Sequence, residues 1–249
     1  MRSAKFLLFK RAINQYYKIA TIREYIFFTM KIVYNTFLQN DDNKRRLEEM
    51  GFFKVTVGVM GSSKSARAIA EVQNLKIRNL KTLVLKPALD TRDGSYICSR
   101  LIKDQVKADI LLKVDESLNI NDIISNNYDY IVVDEFHMLS EEQIKELYQI
   151  SAISNTNISM YGLRMSWKGT PFPSAALALG YADEIEIIKM VDKDQNPLSH
   201  HIKYTNGAPS SLTKEGETIV VGDLSATSYT TVSKVDFYKI YQMLGQVEE

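Results

Sequence analysis

With 249 residues and 45% hydrophobic content, the chain is long enough for one sizeable α/β domain and an appendage. Its 31 basic and 30 acidic residues nearly cancel, so neither a nucleic-acid partner nor a membrane partner is expected. A single cysteine, Cys98, excludes an intramolecular disulfide framework and a multi-cysteine zinc site, and fits a soluble protein of the reducing cytoplasm.

The first 49 residues differ in texture from the rest. Residues 1–39 are rich in aromatics and carry seven basic side chains against one acid, Glu24. No apolar run there reaches the roughly 18–20 residues of a membrane span, and the run FLLF is too short for a signal-peptide core. The segment reads as an added helical arm or as sequence upstream of a start at Met50. A mitochondrial-type presequence is a third reading, weakened by the scarcity of serine. QNDDNKRRLEE, residues 39–49, is polar and reads as a linker or an exposed helix.

From Lys54 short β-rich runs alternate with longer helical ones. KVTVGVM (54–60) is a predicted strand running into a loop. KSARAIAEVQNLKIRNL (64–80) is a predicted helix, with Ala68, Ile69, Val72, Leu75 and Ile77 near one face. KTLVLKPAL (81–89) and YDYIVVDEFHM (128–138) are strands apolar enough to be buried on both faces, and between them ADILLKV and INDIISNN suggest a short strand and a helix. SEEQIKELYQISA (140–152) is a helix opened by a Ser140–Gln143 capping box, with Ile144, Leu147 and Tyr148 at helical spacing. ISMYGLRM is a strand, PFPSAALALGYA a proline-started helix, and DEIEIIKMV an alternating strand. Such alternation predicts an α/β fold, a mostly parallel sheet with helices on both faces. After Val191, turn signals at Asn196-Pro197, Asn206-Gly207 and Glu215-Gly216 predict a small β-hairpin-rich subdomain closed by the helix SKVDFYKIYQML. The expected division is an N-terminal extension and linker at 1–49, an α/β domain at 50–190 and the β subdomain at 191–249.

Two motifs carry chemistry. Gly58 to Ser65 matches the phosphate-loop pattern Gly, four residues, Gly, Lys, Ser/Thr at every position except Ser63, where glycine is the rule. In such a loop converging backbone N–H groups cradle phosphates, the lysine adds a positive charge and the terminal hydroxyl reaches Mg²⁺. Taken alone, the stretch reads equally well as an ordinary Ser/Gly turn between strand and helix. The second motif is Asp134-Glu135, at the end of an apolar strand. Carboxylates there belong at the carboxyl edge of a parallel sheet, where the loop must also lie. Asp134 suits Mg²⁺, and Glu135 could take a proton from a hydroxyl. The plainer alternative is an acidic cap on the following helix.

Over about residues 52–240 the chain resembles the thymidine kinases of the cellular, bacterial and phage type. The resemblance rests on GVMGSSKS, on LVLKPALDTRD (83–93), on VVDEFHML and on YGLRMSWKGTPFPSAALALGYADEI, four matches in order at natural separations. It implies a RecA-like P-loop kinase domain over 50–190 with a C-terminal lasso-like β subdomain. It further implies ATP and Mg²⁺ as cofactors, a nucleoside substrate and a homo-oligomer, the family's usual tetramer. Under the resemblance Glu135 is the catalytic base and Lys64 the catalytic cation. ATP is held by Gly58, Val59, Met60, Gly61, Ser62, Ser63, Lys64 and Ser65, with Asp134, Glu135, Phe136 and His137 beside them. Ser65 and Asp134 hold Mg²⁺. Met60, His137, Met138, Leu163, Trp167 and Phe172 wall the base pocket, and Asp90 and Arg92 stand at its rim. Without the resemblance, Trp167 and Phe172 read as core packing.

Departures from the family pattern are equally specific. Ser63 replaces glycine, His137 replaces glutamine, Met138 replaces an aromatic, and Met165-Ser166-Trp167 replaces a segment usually ending in phenylalanine. Family members often hold the lasso on a four-ligand zinc. Here Val191, Lys193, Ser233 and Asp236 fall near those positions, so no structural zinc is expected. His200 and His201, on opposite sides of a strand, are expected to be exposed rather than ligands. The leading reading is a thymidine or pyrimidine-deoxynucleoside kinase acting at the 5′-hydroxyl. Its rivals are a catalytically impaired nucleotide-binding or assembly relative and an unrelated loop-bearing ATPase.

Overall fold

The computed structural model describes residues 50–212 and 227–246, all within one unit, Met50–Glu249. The expectations for residues 1–49 and for the Glu215-Gly216 turn lie outside the described residues. Six strands form one sheet: β1 (Phe53–Gly58), β2 (Thr82–Pro87), β5 (Ile110–Leu112), β6 (Tyr130–Asp134), β7 (Asn157–Gly162) and β8 (Glu184–Ile188). Their order is β5-β2-β6-β7-β1-β8 and every neighbouring pair is parallel.

The continuous apolar runs of β2 and β6 are explained by burial on both sides. Leu83, Leu85, Ile131 and Val133 enter a core shared with Phe53, Val55, Ile144, Leu147 and Ala175. Val84 and Val132 point the other way, into a cluster with Ala68, Ile69, Val72 and Leu75 of α1 (Lys64–Ile77). Helices α3 (Glu141–Ile153) and α4 (Pro173–Tyr181) cover the first face, and the short α2 (Ile120–Ser125) precedes β6. The Ser140–Gln143 capping box is present, with Ser140 Oγ accepting from Gln143 N at 3.2 Å and Gln143 Oε1 accepting from Ser140 N at 3.0 Å. Ile77 departs from the expected helix face: it is 78% exposed, because two residues past Leu75 the helix has turned its side chain about 200° away from the buried face.

One hairpin, β3 (Tyr96–Ser99) with β4 (Ile102–Lys107), is absent from the predicted elements. Nearly all of β4 is exposed, and within the two strands only Ile97 and Val106 are buried against α1, too few to set up a strand period. Its root is fixed by Lys86, a fully buried amine that donates to Gly94 O and Tyr96 O and pairs with Asp90 Oδ2 at 3.3 Å.

The C-terminal part is a three-stranded antiparallel sheet, β10 (Ala208–Pro209), β9 (Leu198–Thr205) and β11 (Thr227–Ser233), followed by α5 (Lys234–Met243). Asn206 and Gly207, with φ of 51° and 79°, make the two-residue turn that the Asn-Gly pair predicts. Positions read as degenerate zinc ligands do local work instead. Ser233 caps α5, its Oγ accepting from Asp236 N at 3.1 Å, and Val191 bridges to Pro197 across a turn that Asp192 holds.

Candidate functional site

Strand β1 ends at Gly58, and the chain turns through 59–63 into α1. Gly58 is required by contact: a Cβ there would meet Ser62 Oγ at 2.3 Å and Ile188 Cβ at 3.2 Å. Gly61 and Ser63 both sit in the left-handed region, at φ 79° and 65°. Ser63 therefore adopts the backbone for which glycine is favoured, at a cost of about 1–2 kcal/mol for an L side chain. Its hydroxyl folds back to donate to Ser62 O. The Lys64 ammonium donates to Val59 O at 2.8 Å. Burial lowers its pKa against the opposing pull of Glu135 and Asp134.

Strand β6 delivers the two acids to the same edge of the sheet. Asp134 is buried, and its carboxyl is pushed up to about 7, first by burial and then by the charge of Glu135, with a hydrogen bond from Ser65 acting the other way. Asp134 Oδ1 has no partner. A buried carboxylate oxygen left open beside a serine hydroxyl is the donor set that Mg²⁺ favours, so Ser65 and Asp134 fit that ion.

Glu135 adopts φ 52°, ψ 36°, and its backbone turns β6 into the short 3₁₀ segment Phe136–Met138. Its Oε1 accepts from Arg92 Nη2, while Arg92 Nε holds Asp90 Oδ1 at 2.7 Å. A chain of charges thus runs Lys86–Asp90–Arg92–Glu135. Burial pushes the Glu135 carboxyl up, but the positive charges around it, Arg92 and Lys64 among them, outweigh that and hold it below the ordinary value. Beside Oε2, at 3.5 Å, stands His137 Nδ1, which accepts from Leu163 N. A backbone amide only donates, so that nitrogen carries no proton and gives Oε2 none. Burial drives His137 down to about 4, leaving it neutral near pH 7. Oε2 is the oxygen left to receive a hydroxyl proton.

Loop and acid open into one cavity of about 850 Å³. Met60, Gly61, Ser62, Ser63, Lys64, Ser65, Arg92, Glu135, His137, Met138, Leu163, Trp167 and Phe172 all border it. Of the other anticipated site residues, Gly58, Val59, Asp90, Asp134 and Phe136 do not border it. Asp90 is buried behind Arg92 and acts on the rim only through it, and Phe136 is fully buried in the core, where its ring lies against Gly162. Trp167 is a wall residue as well as a packed one. It is buried, Lys168 and Lys203 lie over its ring, and its Nε1 has no partner.

The histidine expectation is corrected. His200 and His201 are both buried, because each face of β9 is covered there, one by Phe237 of α5 and the other by the phosphate loop at Met60. His200 packs on Phe237, at 4.6 Å between ring centroids. His201 accepts from Met60 N through Nε2 at 2.9 Å and borders the cavity. Sequence reasoning also missed Tyr229, Cys98, Ser99, Arg100 and Leu101 on the cavity wall. Only Tyr229, one residue in a Thr/Ser-rich strand, offered even a compositional cue.

A phosphate loop on the first strand of a parallel sheet, with acids at the end of β6, one strand away across β7, and a cavity shared by loop and acid, defines a nucleotide-binding P-loop protein. Residues 51–237 match the family model described as thymidine kinase. A thymidine kinase of Francisella tularensis subsp. holarctica is 31% identical over 185 residues, covering 70% of this chain and 90% of that one. The thymidine kinase of enterobacteria phage T4 is 29% identical over 196 residues, covering 76% and 97%. Among solved structures, the Legionella pneumophila ATPase DotB matches at a TM-score of 0.33 and 10% identity, over 66% of this chain and 48% of that one. The chain belongs to the thymidine kinase family.

Proposed function

We propose that the protein transfers the γ-phosphoryl group of ATP to the 5′-hydroxyl of thymidine, or of a related pyrimidine deoxynucleoside, giving dTMP and ADP. One observation carries the reading: Lys64 on its loop and Glu135 on its strand end face a single cavity. Its outer wall, of thioether, aliphatic and aromatic side chains, suits a flat base.

In this reading the loop amides that face the cavity and Lys64 hold the triphosphate, and catalysis is positioning plus charge stabilisation. Ser65 and Asp134 hold Mg²⁺, which supplies neutralising charge to the phosphates. Glu135 Oε2 orients the 5′-hydroxyl and takes its proton as the new P–O bond forms and the bond to the ADP oxygen breaks. Arg92 keeps the Glu135 carboxyl ionised and fixed. Met60, His137, Met138, Leu163, Trp167 and Phe172 contact the nucleoside, with Asp90 serving through Arg92.

A second reading, a nucleotide-binding protein without turnover, is favoured by Ser63, whose strained backbone and inturned hydroxyl alter the phosphate cradle. A panel of deoxynucleosides with ATP and Mg²⁺, assayed for monophosphate, separates the two. Formation of dTMP supports the kinase, and ATP binding with no product from any nucleoside supports the alternative. Family membership also leads us to a homo-oligomer, a tetramer, working in the cytoplasm, with domains at 50–190 and 191–249 after an extension at 1–49; Val191, Lys193, Ser233 and Asp236 in place of the family's zinc ligands lead us to a protein without structural zinc. Among the described residues no helix is long and apolar enough to cross a membrane.

A further inference from the structure

His201 on β9 and Thr231 on β11 are directly paired across the small antiparallel sheet. Both reach the same residue of the phosphate loop. His201 Nε2 accepts the backbone N–H of Met60 at 2.9 Å, and Thr231 Oγ1 donates to the carbonyl of Met60 at 3.4 Å. Met60 thus has its N–H and its C=O engaged by one cross-strand pair, at a place where the loop makes few bonds of its own. Within the turn, Ser62 N donates to Val59 O at 3.2 Å and the Lys64 ammonium takes that same carbonyl. His201 is buried, and its accepting nitrogen is fixed as unprotonated because its partner is an amide donor.

We propose that His201 and Thr231 form a clamp by which the β subdomain holds the phosphate loop in its phosphate-binding shape. His201 is a positioning residue: it acts on the nucleotide through the backbone of Met60. The clamp has a physical reason in this chain, whose loop carries a serine in the left-handed region and so lacks the relaxed backbone that glycine would give. Removing the acceptor leaves a part-buried N–H without a partner, which drives the loop toward other conformations. The inference rests on the loop being a phosphate site, but not on turnover.

The test is calorimetric titration of the full-length protein with ADP and Mg²⁺, without nucleoside. His201→Ala should raise the Kd for ADP about tenfold, and His201→Gln, whose amide oxygen can still accept, should bring it back to within about threefold of wild type. Thr231→Val, which keeps the branched shape and removes the donor, should weaken binding about threefold. Melting temperatures of the variants identify any that have simply failed to fold. A Kd within twofold of wild type for a folded His201→Ala would overturn the clamp, as would a His201→Gln variant no better than His201→Ala. Wild-type protein that binds no ADP at all would overturn the phosphate-loop reading and the clamp together. Wild type that binds ADP yet makes no dTMP would sink only the kinase reading.

Discussion

Gly58 and Gly162 shape the site through what a methyl group would strike. At Gly58 the added carbon meets Ser62 and Ile188, so Gly58→Ala must push the loop outward. Overpacking of this kind costs about 1–3 kcal/mol, and ADP affinity should fall at least tenfold by titration. At Gly162 the added carbon meets Phe136 ring atoms at 2.7 and 2.9 Å and His137 Nδ1 at 3.1 Å, beneath the turn that presents Glu135. Gly162→Ala is expected to lower the rate of nucleoside phosphorylation much more than it weakens ADP binding. Equal losses in both would show that the strain is not confined to the acid's turn. Legibility at this scale was uneven. Lys64, Ser65, Asp134 and Glu135 announce themselves by residue type and spacing. Asp90 and Phe136 were drawn to the site by resemblance, yet they serve from behind it, since sequence order does not tell a wall residue from its support. His201 was unreadable because its partner, a backbone amide 141 residues away, leaves no mark in the sequence.

Helices and strands whose faces are buried by their neighbours were the readable elements. Strands β2 and β6 showed their two-sided burial as unbroken apolar runs, and α3 showed its start as Ser140 and Gln143. Losing that cap should cost about 1 kcal/mol. Ser140→Ala should therefore melt about 2–4 °C lower while binding ADP as wild type does. The β3–β4 hairpin escaped notice because a strand exposed along most of its length has no period to detect. Strand β9 makes a pH-dependent contribution of definite sign. Burial first, then the charge of Lys64, holds His201 down to about 4 from an ordinary 6.5. The unfolded chain takes up that proton as pH falls below about 6.5 while the folded one refuses it, so stability is present above that pH and is lost toward pH 4. Asp134, raised from 3.8 to about 7, contributes with the opposite sign over the whole of that range. The clean measurement is therefore a difference. Between pH 7 and pH 5 the urea midpoint of His201→Gln should fall less than that of wild type, and an equal or larger fall would remove His201 from the acid response.

At the largest scale, two stretches of sequence within the unit Met50–Glu249 meet over one cavity. The parallel sheet supplies the loop and the acids, and the β subdomain supplies His201 and Tyr229 to the same space. The parallel architecture followed from strand–helix alternation, whereas the meeting of sheet and subdomain did not, because contacts between pieces distant in sequence have no local signature. Ligands that bind only this assembled cavity should stabilise it. At a hundredfold excess over Kd, ADP with Mg²⁺ should add about 2.7 kcal/mol. That is roughly 5–10 °C in melting temperature for a chain of this size. The measurement that bears most directly on the central claim is single-turnover transfer from γ-labelled ATP to thymidine, comparing wild type with Glu135→Gln. Label should appear in dTMP with wild type, and Glu135→Gln should bind ADP normally yet transfer about 10²–10⁴-fold more slowly. Wild type that leaves thymidine unlabelled, or a Glu135→Gln variant as fast as wild type, would contradict the account.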